Sequence, residues 1–338
     1  MRVLVTGGTG FVGSHTVAAL VAAGHEVRLL VRSPDRIAPA LAPHGIERDV
    51  DHRVGDVTDP DAVKAALPGC DAVVHAAAVY SLDSRAYAAT QATNLAGART
   101  VLTAAVAHGC DPVVHVSSTV ALLRRRATVS PDSPLSQVRT VYVRSKVDSE
   151  AVGRRLQEEG APVVIVQPGG VLGPHDPHLS DQVGRLRDIL RGRYPMWPSG
   201  GYHAVDVRDV AAVHAAVMRP GAGPRRYVVP GLFLDGKTLF ATLRTVTGRR
   251  LPMVTMPAWS MLPVARLATA AQRVLPFHLP AEYEGVVVTG SATRCDDRRA
   301  REELGVEPRP FVETLRDTVR WLHSAGHLTD RQAGAAAA

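Results

Sequence analysis

The stretch Thr6-Gly7-Gly8-Thr9-Gly10-Phe11-Val12-Gly13 decides the fold. It follows a β-branched run, Arg2–Thr6, and opens an apolar stretch from Phe11 to Ala23 that predicts a helix. The GxxGxxG spacing permits a tight turn and lets the backbone approach a pyrophosphate at a helix N-terminus. A strand, a glycine turn and a helix in this order predict a dinucleotide site, and we expect it to include Gly7, Thr9, Gly10, Phe11, Val12 and Gly13.

Strands and helices alternate from this point outward. Further strands are predicted at Glu26–Arg32, Arg53–Asp56, Ala72–Ala77, Pro112–Ser117 and Val163–Gln167. Helices are predicted after Asp59-Pro60, over about 85–108 and over 138–159. Because the strands are almost continuously apolar, they indicate a parallel sheet that helices cover on both faces. The pattern predicts an α/β fold with a Rossmann-type doubly wound parallel sheet.

The second half of the chain is richer in proline and glycine, and the alternation fades after about residue 169. We expect a dinucleotide-binding domain over residues 1–168, to which segments around 202–230 return. Residues 169–330 are expected to form a smaller, mainly substrate-binding C-terminal part, followed by a frayed tail at 331–338. Ligands of open α/β sheets bind outside the carboxyl ends of the strands, so this part would close over that crevice.

Composition excludes several classes of protein. Among the 338 residues, 46% are hydrophobic and 21% charged, which excludes wholesale disorder. No apolar run is long enough to span a membrane, and the N-terminal strand leaves no signal peptide, so a cytoplasmic location is expected. Three scattered cysteines favour neither a disulfide framework nor a zinc site. We expect no metal, and we interpret the ligand-type residues of the loop 175–178 as a plain turn.

The net charge of +7 comes mostly from arginine, since only Lys64, Lys146 and Lys237 are lysines. This skew indicates a coding bias more than a nucleic-acid partner. The run Arg124 to Arg126 fits a solvated loop, and the chain is only 4% aromatic, which gives little material for base stacking. We therefore expect no nucleic acid.

The residues after the second strand bear on the choice of cofactor. An NAD site would have an acidic residue here for the ribose 2′-hydroxyl, whereas this chain has Arg32 and Arg36. Arginine pairs with phosphate oxygens, so NADP(H) is preferred, although Asp35 leaves NAD(H) open. Arg36 alone also fits a solvated helix. Asp56 and Val57 follow the third strand, where Asp56 would accept from the adenine amino group or serve as a turn residue.

Tyr142 and Lys146 stand four residues apart on a predicted helix, so they face the same side. A nearby ammonium lowers the pKa of a tyrosine, which makes Tyr142 a candidate general acid/base. The alternative is a surface helix pair. Ser117 and Ser118 end the fifth strand and point in opposite directions; we prefer Ser118 as the donor to a reacting carbonyl oxygen.

These motifs follow one another in a familiar order. TGGTGFVG (6–13), DV (56–57), HAAA (75–78), TNLAGARTVL (93–102), VSST (116–119), YVRSK (142–146) and QPGGVLGP (167–174) resemble the extended short-chain dehydrogenase/reductase superfamily. This superfamily is also called the NAD-dependent epimerase/dehydratase family. The resemblance covers about residues 1–215 and includes VDVRDV at 205–210.

The resemblance implies a role for several residues. Tyr142 would be the acid/base, Lys146 would orient the nicotinamide ribose and tune Tyr142, and Ser118 would polarise the carbonyl. Asn94 resembles an asparagine near the active site, with a structural helix-kink role as the alternative. Four further residues would contact the cofactor, two through small side chains and two through backbone: Ala76, Ala77, Pro168 and Val171.

Two departures favour one branch of this superfamily. Gln167 replaces an arginine that many members have, and the region 197–201 lacks the arginine pattern expected for a nucleotide-sugar diphosphate. With Arg32, they favour the dihydroflavonol-reductase-like and 3β-hydroxysteroid-dehydrogenase-like branch. We therefore expect an NADP(H)-dependent oxidoreductase acting on a carbonyl or alcohol of a small, apolar substrate. The alternatives are an epimerase or dehydratase that retains NAD and acts on a nucleotide sugar, and a non-catalytic dinucleotide sensor.

Two expectations concern partners. By resemblance, the long helices 85–108 and 138–160 would pack in a homodimer. The apolar segment 254–277 is expected to form a helix over the cleft, or a peripheral membrane contact in which Arg266 and Arg273 face anionic lipid.

Overall fold

The structure is a computed structural model that describes residues 1–46, 49–78, 87–271 and 283–337. The strands are β1 (Arg2–Thr6), β2 (Glu26–Val31), β3 (His52–Val54), β4 (Ala72–His75), β5 (Val113–Val116), β6 (Thr128–Val129), β7 (Val163–Gln167), β8 (Gly170–Leu172), β9 (Met196–Pro198), β10 (Gly201–Asp206), β11 (Arg225–Val228), β12 (Leu232–Asp235), β13 (Val254–Met256) and β14 (Arg294–Cys295). The helices are α1 (Phe11–Ala22), α2 (Ile37–Leu41), α3 (Pro60–Ala66), α4 (Tyr87–His108), α5 (Val141–Glu158), α6 (Asp181–Leu190), α7 (Val207–Ala216), α8 (Gly236–Thr247), α9 (Ala258–Ala271), α10 (Tyr283–Gly290), α11 (Arg298–Leu304), α12 (Phe311–Ser324) and α13 (Asp330–Ala333).

A seven-stranded sheet with the order β11-β7-β5-β4-β1-β2-β3 forms the centre of the fold. Every neighbouring pair in it is parallel. Helices bury both faces of its inner strands, which explains their continuous apolar sequences; all five residues of β7 are buried. The expected doubly wound α/β fold is therefore confirmed. The strand order reverses between β1 and β4, and a ligand crevice opens at such a reversal.

The strand β4 ends at His75, two residues before its expected end. The reason is local, because Ala76 and Ala77 leave the strand toward the glycine turn. The Ala76 N–H donates to the carbonyl of Thr6, and the Ala77 N–H donates to the Thr6 hydroxyl at 3.3 Å. The turn therefore lies against the end of β4.

A helix begins where its sequence predicts when its capping residue directly precedes it in the chain. Asp59 caps α3 as expected, accepting from the N–H of Asp61 at 2.9 Å, and Pro60 occupies the first helical position. The helix expected over 138–159 instead begins at Val141, after Thr140, whose side chain makes no capping bond. The start of α5 depends on a residue from another part of the chain, described below.

The chain after β7 has more regular structure than its proline and glycine content predicts. A three-stranded sheet, β12-β10-β8, packs with α6, α8 and α12 around a second core that includes Trp197, Phe240 and Leu315. β11 returns to the edge of the central sheet beside β7. Within the described residues, no helix is long and apolar enough to cross a membrane.

The tail expected to fray packs onto the molecule as far as Ala337. Thr329 and Gln332 form a reciprocal capping box at the start of α13. Ala333 and Ala336 are buried in the second core. Small side chains that fit against α8 and α12 fix this segment, which its composition alone does not reveal.

Candidate active site

The glycine turn after β1 leaves its backbone open to a ligand. Gly7 has a φ of 73°, and a Cβ there would lie 2.7 Å from the Cα of Ala77. A Cβ at Gly13 would overlap the carbonyl oxygen of Gly7. Gly10 precedes α1 and donates its N–H to the Gly7 carbonyl at 3.0 Å, while offering no capping side chain to the helix. The first N–H groups of α1 therefore lack a side-chain cap, which fits the diphosphate of a dinucleotide.

The other residues of the turn differ in exposure. Thr9 and Val12 are partly exposed, whereas Phe11 is buried and packs edge-on against His15. Thr9 and Val12 can therefore contact a ligand with their side chains. Phe11 can do so only through its backbone.

Polar contacts between β1 and β4 hold the glycine turn in place. The Thr6 hydroxyl lies 2.8 Å from Nδ1 of His75, and both side chains are buried. Burial, reinforced by the charge of Lys146, lowers the pKa of His75 to about 4. This neutral imidazole holds Thr6, which in turn binds the N–H of Ala77. Ala76 and Ala77, predicted to line the cofactor, thus lie directly beside Gly7.

The ends of β2 and β3 bring together the residues predicted at the adenosine end. Arg32 is 73% exposed, and its guanidinium lies 4.0 Å from the carboxylate of Asp56. Asp56 also accepts from the N–H and the hydroxyl of Thr58, and these hydrogen bonds lower its pKa. Arg36 is exposed on a short turn after β2, and Val57 is partly buried beside Asp56. Asp56 therefore acts as a turn residue and also lies beside the arginine.

Tyr142 and Lys146 occupy the first two turns of α5, as predicted from their spacing. Tyr142 lines a cleft at the carboxyl ends of the sheet strands together with Ser118. Lys146 is half-buried, and this burial lowers the pKa of its ammonium to about 8. A lysine with this pKa is still mostly protonated at neutral pH, so its charge remains available to Tyr142.

The two serines at the end of β5 have separate environments. Ser118 lines the cleft, and its hydroxyl oxygen accepts from the N–H of Val120 at 3.2 Å. Ser117 is turned away and donates its hydroxyl to the carboxylate of Glu150 at 2.6 Å. The alternation of the strand thus leaves Ser118 as the serine that lines the cleft with Tyr142.

A buried polar network lies beneath this wall of the cleft. Glu150 is fully buried on α5, where it accepts from Ser117, from Gln167 at 2.8 Å and from Arg154 at 2.6 Å. Gln167 is also fully buried. The residue that departs from the superfamily pattern therefore acts in the interior, where it joins β7 to α5.

Asn94 connects α4 to the helix that carries the candidate acid/base. Its amide donates to the Ser145 hydroxyl at 3.1 Å, and both residues are buried. Ser145 directly precedes Lys146 in sequence. The structure thus places Asn94 beside α5, which fits either of its expected roles.

Pro168 directly follows β7 and Val171 lies in β8; both are expected to contact the cofactor through backbone. The Pro168 carbonyl already accepts the N–H of Thr119 at 2.9 Å. Val171 is partly exposed and pairs with Val205 in the neighbouring strand. Both residues lie just beyond the carboxyl end of β7, and Gly169 and Gly170 between them line the cleft.

Sequence reasoning missed Glu284, which lines the opposite wall of the cleft on α10. Its Oε1 accepts from the backbone N–H of Tyr142 at 3.2 Å. Burial raises the pKa of Glu284, and among the described residues its Oε2 has no hydrogen-bond partner. This carboxylate caps α5 from a distant segment, and no local motif could have revealed it.

Arg185 is a second residue of the cleft that the sequence did not single out. Its guanidinium lies 5.9 Å from the ring centroids of Tyr194 and Trp197. Nearby, the Tyr202 hydroxyl donates to Gln182 at 2.8 Å, and burial raises the pKa of Tyr202 to about 12. The cleft therefore contains one cation and one tyrosine that stays protonated, besides Tyr142.

Three other predictions concern residues outside the cleft. Asp176 accepts from the N–H groups of His178 and Ser180, so the loop 175–178 is a turn. In the part of the chain that the structure describes, no group of three or more His, Cys, Asp or Glu is arranged to hold a metal ion. Of the segment 254–277, residues 272–277 lie outside the described residues, and α9 packs against α10.

Known proteins similar to this chain include two named as reductases and one named as a sterol demethylase protein. A Synechocystis protein, provisionally named dihydroflavonol 4-reductase, is 30% identical over 96% of this chain and 95% of its own length. Sterol demethylase protein B of Methylococcus capsulatus is 32% identical over 97% of this chain and all of its own length. A Stigmatella aurantiaca protein named 4-hydroxy-2-methyl-3-oxo-4-farnesyl-3,4-dihydroquinoline-1-oxide ketoreductase is 29% identical over 96% and 98% of the two chains.

Solved structures agree with the fold along the whole chain. The crystal structure of gox2253 superposes with a TM-score of 0.81 at 29% identity and covers 97% of this chain and 99% of its own. UDP-glucose-4-epimerase from Stenotrophomonas maltophila superposes with a TM-score of 0.77 at 20% identity, covering 96% and 99%, and shows the fold alone. The model of the NAD dependent epimerase/dehydratase family matches residues 3–229. The chain therefore belongs to the NAD dependent epimerase/dehydratase family, as an oxidoreductase of the extended short-chain type with a dinucleotide cofactor.

Proposed function

We propose that the protein is an NADP(H)-dependent oxidoreductase that interconverts a carbonyl and an alcohol on a small, apolar substrate. The observation that carries this proposal is the shared cleft of Tyr142 and Ser118, with Lys146 one turn from Tyr142 on α5. This cleft lies at the carboxyl ends of the strands, on the same side of the sheet as the glycine turn.

When bound, the nicotinamide supplies or accepts the hydride at the reacting carbon. In the direction of reduction, the Tyr142 hydroxyl gives its proton to the carbonyl oxygen. The Ser118 hydroxyl donates a hydrogen bond to the same oxygen and stabilises the charge that develops there. In the direction of oxidation, the Tyr142 phenolate takes the proton of the alcohol.

Lys146 acts on Tyr142 through its charge. A positive ammonium on the same helix face favours the phenolate and lowers the pKa of Tyr142 toward the working range. Burial lowers the pKa of Lys146 to about 8, so its charge and this effect weaken in mildly alkaline solution. We also propose that Lys146 orients the nicotinamide ribose.

The preference for NADP(H) rests on the two arginines after β2. Arg32 is exposed beside Asp56, so its guanidinium can turn to a 2′-phosphate with little desolvation. Arg36 is exposed on the next turn and would add a second contact. Asp56 remains available to the adenine amino group, and we propose both contacts for the adenosine end.

The apolar character of the substrate is supported by the cleft and by the relatives. Leu123, Val120 and Val288 line the cleft near Ser118. One relative is named as a ketoreductase of a farnesyl-substituted quinoline and another as a sterol demethylase protein. We propose that residues 169–330 shape this cleft, whereas residues 1–168 and the segments around 202–230 bind the dinucleotide. A homodimer through α4 and α5 stays an expectation.

Arg185 favours a second candidate, an epimerase or dehydratase that retains NAD and acts on a nucleotide sugar. A guanidinium in the cleft suits the diphosphate of such a substrate. The two candidates differ in the fate of the cofactor, since an epimerase recycles its NAD without releasing it.

The test begins with the supernatant of denatured protein, in which bound dinucleotide is measured. Protein stripped of cofactor is then titrated with NADPH and NADH, and turnover is screened on apolar ketones and aldehydes. We expect no retained NAD, tighter binding of NADPH, and loss of turnover in Tyr142→Phe with unchanged dinucleotide binding. Tyr227→Phe is the matched control, because it removes a phenolic hydroxyl that donates to Glu303 far from the cleft. Retained NAD would favour the epimerase, and normal turnover in Tyr142→Phe would contradict the proposed mechanism.

A further inference from the structure

The most exposed large hydrophobic side chains of the described residues are concentrated in one region. Six such side chains are 47% or more exposed, and five of them lie on β9, β13 and α9. These five are Met196 (47%), Val254 (56%), Trp259 (74%), Val264 (62%) and Leu267 (72%). The sixth, Val54, lies on β3 at the far edge of the central sheet. Soluble proteins seldom expose so much clustered apolar surface without a function for it.

The exposed residues of α9 form a stripe along one side of the helix. Trp259, Pro263, Leu267 and Ala270 recur at spacings of three or four residues, and all are exposed. On the other side, Ala265 is 1% exposed, and α9 packs there against α10. The helix thus presents a continuous apolar stripe to the outside.

The strand pair before α9 extends this surface. Met196 of β9 and Val254 of β13 are direct partners, so their exposed side chains stand on the same side of the pair. β13 ends at Met256 and is followed almost at once by α9 at Ala258. We call the five exposed residues Met196, Val254, Trp259, Val264 and Leu267 the α9 face.

The segments that carry the α9 face contain basic residues and no acidic ones. The sequence has no Asp or Glu between Asp188 and Asp206, nor between Asp235 and Glu282. Arg193, Arg250 and Arg266 are exposed in these segments. Arg266 borders the stripe, and its guanidinium lies 5.1 Å from the centroid of the Tyr283 ring. An apolar face whose own segments carry exposed cations and no carboxylate is complementary to a surface of acyl chains and anionic headgroups.

A second copy of this chain fits the α9 face less well. A two-fold contact would place this cationic face against a second copy of itself, with no carboxylate from these segments to compensate. An anionic bilayer supplies both the apolar environment and the opposite charge.

We propose that the α9 face docks on an anionic phospholipid bilayer. α9 then lies in the plane of the interface, with Trp259 and Leu267 among the upper acyl chains and Arg266 at the headgroups. α10 packs on α9 and lines the cleft with Gly285, Val288 and Thr289, so the cleft wall stands next to the membrane. This docking does not depend on the proposed reaction.

The test uses the full chain and vesicles of phosphatidylcholine, alone or mixed with phosphatidylglycerol. Cosedimentation should occur with the mixed vesicles and weaken as salt screens the charges. Trp259→Gln and Leu267→Gln should each weaken partitioning about tenfold, and Arg266→Gln about fivefold on the mixed vesicles only. Val54→Gln, which removes an equally exposed apolar side chain elsewhere, should bind like the unaltered protein.

Tryptophan fluorescence gives an independent readout that does not depend on reaction or folding yield. Of the three tryptophans, Trp197 is 1% exposed, Trp321 is partly buried on α12 and Trp259 is 74% exposed, so mixed vesicles should shift the emission of Trp259 to the blue. The shift should disappear in Trp259→Phe. The proposal is overturned if mixed vesicles neither pellet the protein nor shift its emission, or if the α9-face variants bind like the Val54 control. A dimer that Leu267→Gln dissociates would also overturn it, by assigning the face to a second copy.

Discussion

The carboxylate of Glu284, at the start of α10, accepts a hydrogen bond of 3.2 Å from the backbone N–H of Tyr142, at the start of α5. A helix N-terminus attracts negative charge, and here that charge comes from the opposite wall of the cleft. The contact ties the helix of the candidate acid/base to the C-terminal part of the chain. Any movement that carries α10 away from α5 therefore also frees the first turn beneath Tyr142.

Replacing Glu284 should disturb catalysis more than dinucleotide binding. Glu284→Ala removes the acceptor of a partly buried N–H, so the loss of unfolding free energy should lie toward the lower end of about 1–3 kcal/mol. We expect its kcat to fall about tenfold or more, because Tyr142 loses its fixed position. Glu284→Gln keeps one carbonyl acceptor and should retain most of the activity.

Steady-state kinetics, dinucleotide titration and thermal unfolding of both variants check this prediction. The affinity for NADPH should remain, since Glu284 is not among the residues expected to contact the dinucleotide and no residue of the glycine turn lines the described cleft. Equally reduced kcat values for the Ala and Gln variants would show that the carboxamide cannot replace the carboxylate contact. An unaltered Ala variant would show that the contact has no positioning role.

Alanine substitutions should rank the glycines of the turn. At Gly13 a Cβ would overlap the Gly7 carbonyl, whereas at Gly10 it would lie 3.3 Å from that oxygen. Gly13→Ala should therefore abolish dinucleotide binding or folding, while Gly10→Ala should weaken binding only moderately. Fluorescence titration with NADPH, together with circular dichroism of each variant, measures both effects. The opposite ranking would mean that the turn changes shape when the dinucleotide binds.

Arg32→Gln should lower the affinity for NADPH and leave that for NADH unchanged. A charge-assisted hydrogen bond to a 2′-phosphate is worth about 1.5–3 kcal/mol, or roughly tenfold to a hundredfold in affinity. Arg53→Gln is a suitable control, because Arg53 is also exposed but pairs with Asp51 at 3.2 Å. Parallel titrations with both dinucleotides measure the ratio. An equal loss of affinity for NADPH and for NADH would mean that Arg32 contacts a part of the cofactor that both dinucleotides share, and not the 2′-phosphate.

The central sheet could be predicted because its signals are local. β1 and β7 have the predicted bounds, since a strand buried on both faces has an almost continuous apolar sequence. The relation between Tyr142 and Lys146 was equally accessible, because helical spacing alone places them on one face. The alternation of side chains along a strand separated Ser118 from Ser117 in the same way, and of these two serines only Ser118 lines the cleft.

The opposite wall of the cleft could not be predicted, because its contacts join distant parts of the chain. Glu284 lies 142 positions from Tyr142, and nothing in its neighbourhood marks it as a capping residue. Arg185 is one arginine among many in a sequence with a strong arginine bias. The burial of Gln167 against Glu150 likewise appears only after β7 and α5 are packed together.

Buried histidines should make the fold sensitive to acid. Burial lowers the pKa of His75 to about 4 and that of His214 to about 3, from an ordinary value of 6.5. The folded state thus keeps these rings neutral, whereas the unfolded chain binds protons as the pH falls below 6.5. Because the unfolded state binds more protons between pH 6.5 and about 4, the unfolding free energy decreases as the pH falls through this window.

Each such histidine should contribute about 1.4 kcal/mol per pH unit to this loss. His214 offers the sharpest test, because it is fully buried and its Nδ1 lies 2.8 Å from the Thr16 hydroxyl. Urea unfolding at several pH values should show a smaller slope of unfolding free energy against pH in His214→Gln than in the unaltered protein. The slope is informative even if the substitution is destabilising, since a loss of unfolding free energy that is the same at every pH leaves the slope unchanged. His108→Gln, at the exposed end of α4, should leave the slope unchanged, and an equal slope in His214→Gln would remove His214 from the groups that cause acid unfolding.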